Sequence, residues 1–197
     1  MTIEKTNSII GIAMGAMMTI GGAAFADTVH DQSAFDKNAY GCDSVAGSSV
    51  QQIADDFRLK QAGEISKIGW TGKYHDSSVP GKKSFEITIF ADQKGVPGKV
   101  IHVEIVHAAS FDTGVTDIGE HKMLSYKALL KQSPTLEAYR TYWLTIRESD
   151  PTTKSRWSWS FHKGNIAGGF SYRLGMQQAW SVGNRDMAYA LSVSDVK

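Results

Sequence analysis

The chain has 197 residues, with 21 Lys+Arg against 20 Asp+Glu, a formal net charge of +1, and 42% hydrophobic residues. That composition excludes wholesale disorder and leaves no basic excess to track phosphates, so no nucleic-acid partner is expected. One cysteine excludes a disulfide framework within the chain and any cysteine-based zinc finger.

Residues 1–26 have the make-up of a secretory signal peptide: Lys5 near the start, an uncharged run from Ile9 to Ile20, and a small-residue end at Ala24-Phe25-Ala26. The apolar run is too short for the ~20 residues of a spanning helix. Cleavage after Ala26 is therefore expected, giving a periplasmic, secreted or cell-surface protein with no membrane span. Residues 27–49 are rich in Asp, Ser, Gly and Ala without a sustained period, which predicts an extended lead-in. Cys42 lies there in a polar stretch. It is either a tolerated free thiol or half of a disulfide between chains; no basic neighbour lowers its pKa.

From residue 50 to 197 the dominant period is two, the signature of strands. Ile53 to Leu59 opens the series. Ile68, Trp70, Gly72 and Tyr74 follow, then Phe85, Ile87 and Ile89. Dense turn chemistry from Asp92 to Gly98 leads into Ile101, Val103 and Ile105, which alternate with His102 and Glu104. That pattern predicts the three aliphatics inward and the two polar residues outward. Residues 121–138 fit either a short helical turn or a strand plus a loop. Tyr142, Leu144 and Ile146 form a later strand, then Trp157, Trp159 and Phe161, then Met187, Tyr189, Leu191 and Val193. About eight or nine short strands, each with one apolar face, predict an all-β fold: an antiparallel, jelly-roll-like β-sandwich.

The segments Gln52-Ile53-Ala54-Asp55-Asp56-Phe57, Ile68-Gly69-Trp70-Thr71-Gly72-Lys73-Tyr74, Gly95-Val96-Pro97-Gly98, Tyr142-Trp143-Leu144-Thr145-Ile146 and Asp186-Met187-Ala188-Tyr189-Ala190-Leu191 stand in this order. The ordered set resembles a broad family of bacterial secreted β-sandwich modules, mostly uncharacterised, often found in exported proteins with C-terminal sorting anchors. The resemblance implies a non-enzymatic module at or outside the cell surface. Lys197 ends this chain without an apolar anchor, so attachment by that route is not expected.

Two constellations are candidates for chemistry. Asp55, Asp56 and Asp186 would converge if the first and last strands are neighbours, and hard carboxylate oxygens suit a structural calcium ion; otherwise one caps a turn and the rest are solvated. Trp157 and Trp159 share one side of a strand, and Trp143 opposes the phase of Tyr142, Leu144 and Ile146. Exposed, these indoles would stack on sugar rings; buried, they are core. Six histidines form no metal-ligand motif, and no nucleophile elbow or phosphate loop is present. No catalytic residue or organic cofactor is expected. Three functional readings follow: a non-catalytic secreted binding or structural module with a glycan as one ligand, a self-assembling adhesion or matrix protein pairing through edge strands, and a glycan-active hydrolase using Glu86 and Glu104 as paired carboxylates.

Overall fold

The alternation of Phe85, Ile87 and Ile89 sets one wall of the core: all three are fully buried on β5 (Ser84–Asp92). Facing them across the interior are Ile68 and Trp70 of β4 (Gly63–Tyr74), the longest strand. Two sheets held apart by interdigitated apolar side chains make an antiparallel β-sandwich, as the alternation predicts. The computed structural model describes residues 28–36, 42–43, 51–75, 83–149, 156–164, 169–175 and 177–194. The expected signal peptide lies outside the described residues.

The remaining strands are β1 (Thr28–Asp31), β2 (Cys42–Asp43), β3 (Gln51–Arg58), β6 (Pro97–His107), β7 (Ala109–Thr116), β8 (Lys122–Leu129), β9 (Thr135–Leu136), β10 (Thr141–Glu148), β11 (Trp157–Trp159), β12 (Ser171–Leu174), β13 (Ser181–Val182) and β14 (Tyr189–Ser194). One six-stranded sheet runs β13-β12-β3-β10-β5-β6. The other, eight-stranded, is organised by β4. On one side β4 pairs with β14 and β11, which carry β1 and β2; on the other it pairs with β8 and β9, and β7 borders β8. The described strands outnumber the expected eight or nine because short ones such as β2, β9 and β13 carry too few residues to show a period. Of the expected lead-in, the described residues 28–36 and 42–43 join the sandwich: β1 pairs with β14, and β2 with β11. In the ambiguous stretch 121–138, the strand-plus-loop alternative holds.

An aromatic cluster fills one end of the interior. Trp70 stacks on Tyr126 at 5.5 Å, and Phe85 meets Trp70, Tyr126 and Trp157 edge-on at 5.0–5.1 Å. Gly72 is required here by close approach: a Cβ would stand 2.5 Å from the Trp157 ring.

Strand β6 departs from the expected phase. Its partners on β5 are Phe85 with Val106, Ile87 with Glu104, and Ile89 with His102, so Val106, Glu104 and His102 share the inner face. Ile101, Val103 and Ile105 point outward, and the last two are 57% and 59% exposed. Turn geometry explains the inversion. Lys94 and Gly95 adopt left-handed φ values of 58° and 82°, and the Asp92 carboxylate accepts the Gly95 N–H. This turn pairs Asp92 with Pro97, and the register then shifts twice, once between Asp92 and Phe90 and once between Phe90 and Ile89. Two one-residue shifts restore the phase that the turn sets, so the turn overrides the hydrophobic pattern.

Candidate interaction surface

The three indoles proposed as a sugar platform are buried. Trp157 and Trp159 are fully enclosed, and the Trp159 Nε1–H donates to the Ala188 carbonyl at 3.0 Å. Trp143 does occupy the face opposite Leu144, as its phase requires. That outer face is covered: Trp180 packs over Ala54, Phe90 and Trp143, with the Arg173 guanidinium 4.5 Å above the Trp180 ring. None of the three offers a stacking face to solvent, which corrects the platform reading. For Trp157 and Trp159 the cause is the core between the sheets, and for Trp143 it is a cover that comes from far along the chain.

The acidic residues fare differently. Asp55 and Asp56 are successive strand residues and point to opposite faces of β3. Asp55 shares the inward face with Ile53 and Phe57. Its Oδ2 accepts the Met187 N–H at 3.0 Å, and the Gln32 side-chain amide stands 3.0 Å from it, in donating distance once its O and N are exchanged. Burial raises its pKa well above the carboxylate range, with the nearby Asp186 and Asp56 adding to the rise, so a neutral acid is favoured there. Asp56 lies outward, opposite Trp143, where burial and Asp186 also raise its pKa. Asp186 is buried, and its backbone carbonyl accepts the His162 N–H at 2.7 Å. The three carboxylates are close enough to feel one another but are split between two faces. Among the described residues no group of three His, Cys, Asp or Glu is placed to hold a metal ion. What Asp56 does join is a shallow outer hollow of about 370 Å³, with Arg58, Asp92 and the edge of Trp143, whose Nε1–H donates to Asp92 at 2.9 Å.

Glu86 and Glu104 are also on opposite faces, as their offset register on β5 and β6 requires. Glu86 accepts from Arg147 at 2.6 Å, and Glu104 accepts the Lys131 and Gln132 backbone amides at 3.0–3.2 Å. They cannot flank one glycosidic bond.

A polar cluster that sequence reading missed covers the outer face of the β4 sheet. The Lys73 ammonium is buried against the Asp117 carboxylate, with both side chains 2% exposed. Burial alone would raise the Asp117 pKa. The Lys73 charge and the amides of His121 and Gly119 outweigh it and hold the value at about 2. His75 Nε2 lies 2.5 Å from Ser158 Oγ, but Ser158 is fully buried, so no substrate can reach it here.

The surface that remains open is built by β6, β7 and β8. The aliphatic face of β6 continues into a groove of about 540 Å³ where β6 leaves its sheet and β8 runs on beyond the end of β7. Phe111 and Leu129, 54% and 66% exposed, form its apolar wall. Lys67, Lys127 and Lys131 rim it, with the Lys127 ammonium 5.9 Å over the Phe111 ring. Adjacent exposed aliphatics on a strand edge are unusual for a lone soluble domain.

The backbone of β6 is equally informative. Ala108 N–H donates to the Lys83 carbonyl, which fixes the parity of the β5–β6 ladder. By that parity His102, Glu104 and Val106 bond toward β5, and Val103 and Ile105 aim their N–H and C=O groups away from it. Pairing on that outer side is absent among the described residues. The signal available in the sequence was the Asp92–Gly98 turn, whose length and left-handed positions set the register.

A family model described as a domain of unknown function, DUF7901, matches residues 29–191. No curated protein sequence matches the chain. Because the match runs from within β1 into β14 and takes in both sheets, the chain belongs to the DUF7901 family.

Proposed function

We propose that the protein is a non-catalytic binding or structural module, exported after removal of residues 1–26, which works by contact through the β6 edge. The observation that carries this reading is the outward face of Ile101, Val103 and Ile105 on a strand whose far backbone edge pairs with no strand among the described residues. Burying such a face against another chain recovers the transfer free energy that exposure forfeits, about 25 cal/mol per Å² of apolar surface. An open edge also offers directional hydrogen bonds to an extended partner. The binding reading no longer leans on a glycan, because the three indoles lack free faces.

The test places a photocrosslinking side chain at Val103 in the exported protein within its own host, with Tyr139, 78% exposed, as the control position. Discrete adducts at Val103 and none at Tyr139 support the reading. Equal or absent adducts at the two positions overturn it.

A further inference from the structure

We infer that the partner of the β6 edge is a second copy of this chain, paired antiparallel about a two-fold axis at Val103. This rests on the reading of β6 as the contact surface and names its occupant. A two-fold axis normal to a sheet must pass through a residue position, because directly opposed residues share a face. The sequence Ile101-His102-Val103-Glu104-Ile105 is self-complementary about its centre. With Val103 opposite itself, Ile101 meets Ile105 of the second copy on the outer face. On the inner face His102 meets Glu104 of the second copy. Moving the axis by one residue sets Glu104 against Glu104, like charges directly opposed, or His102 against His102, and either move centres the pair on a residue whose backbone groups bond toward β5.

Two further observations agree. Val103 and Ile105 carry the outward backbone groups, so the central pair exchanges two hydrogen bonds. Proline, lysine and bulge, which usually block edge pairing, are confined to one end of β6: Pro97, Lys99 and the bulge near Ile101. From His102 to His107 the edge carries one blocking device, the inward-pointing Glu104, and its carboxylate is already held by the Lys131 and Gln132 amides. His102 and Glu104 already stand 3.6 Å apart within one chain, so the two-fold builds a two-by-two cluster in which each imidazole adjoins a carboxylate along its strand and across the pair. The pairing is isologous and closes on itself, giving a dimer rather than a fibre.

The test is disulfide trapping in a Cys42→Ser background. Val103→Cys is expected to give a disulfide-linked dimer under mild oxidation, since opposed strand residues lie within bonding reach. Ile105→Cys alone places its two thiols four residues apart along the strands, about 13 Å, and should trap at least about tenfold less. Mixing Ile101→Cys with Ile105→Cys chains should restore trapping. Equal trapping at positions 103 and 105, or none at 103 in a chain with an unchanged circular dichroism spectrum, overturns the two-fold. If Val103→Cys stays monomeric while the photocrosslinker at Val103 captures a different protein, the contact surface stands and the second copy falls.

Discussion

Strands β11 and β6 look alike on paper and end in opposite places. Trp157-Ser158-Trp159 and Ile101-His102-Val103-Glu104-Ile105 both alternate large apolar with polar residues. Both indoles are fully buried, whereas Val103 and Ile105 are more than half exposed. The difference lies in what adjoins each strand. β11 is flanked by β4 and β2 and packs its rings on Phe85 and Tyr189. Among the described residues β6 has a neighbour on one side only, and the turn that joins it to that neighbour sets which face is inside. Alternation states that a strand has two faces; turns, bulges and sheet order decide which face is inside.

The sharpest way to stress that contrast is to truncate one side chain from each strand. Trp157→Ala should cost roughly 3–5 kcal/mol in urea unfolding, because it empties the centre of the aromatic cluster. Val103→Ala should stay within about 0.5 kcal/mol, as expected of a surface position. Equal losses would show that β6 is core after all.

Next in size is the buried ion pair on the outer face of the β4 sheet. Asp117→Ala leaves the Lys73 ammonium enclosed without that carboxylate, for which a loss of about 3–5 kcal/mol is expected. A loss under 1 kcal/mol would mean water reaches Lys73 freely.

The pH dependence of stability separates two groups near β14, the half-buried His30 and the fully buried Asp55. His30 stacks on Tyr189 at 5.1 Å, and burial lowers its pKa to about 4 against a small opposing pull from Asp31. The unfolded chain therefore takes up this proton first, and stability falls as pH drops from about 6.5 to 4. Asp55 acts in the opposite sense. Its pKa is raised in the fold, so its contribution is complete below the ordinary carboxylate range and is lost as pH rises through the folded value. Asp55→Asn keeps the shape without the charge and should stabilise the protein at pH 7 while changing little at pH 4. His30→Phe should remove the loss between pH 6.5 and 4. Parallel pH profiles for wild type and both variants would contradict these assignments.

The smallest effect on stability belongs to the proposed contact. Val103→Lys with Ile105→Lys should move Tm by about 2 °C or less, yet abolish concentration-dependent association in sedimentation. Persistent association would move the contact elsewhere.

Much of the fold was legible because β3, β4, β5, β10 and β14 each carry an apolar face that is buried. β7 escaped notice because, at a sheet margin with residues alternating between exposed and half-exposed, it has no buried face to create a period. The phase of Trp143 was legible and its cover was not, since Trp180 lies 37 residues further on in a segment without strand pattern. The Lys73–Asp117 pair spans 44 positions and gives no local signal. The β6 face was misread because aliphatic alternation was weighed above the turn that sets its register.

Residue-resolved amide hydrogen exchange across β6, recorded over a range of protein concentrations, tests the central claim most directly. In dilute solution the amides of His102, Glu104 and Val106 should be protected and those of Val103 and Ile105 should exchange fast; at high concentration the latter two should slow as the edge becomes paired. Uniform protection along β6 at every dilution, or fast exchange at Val103 and Ile105 that never responds to concentration, would contradict it.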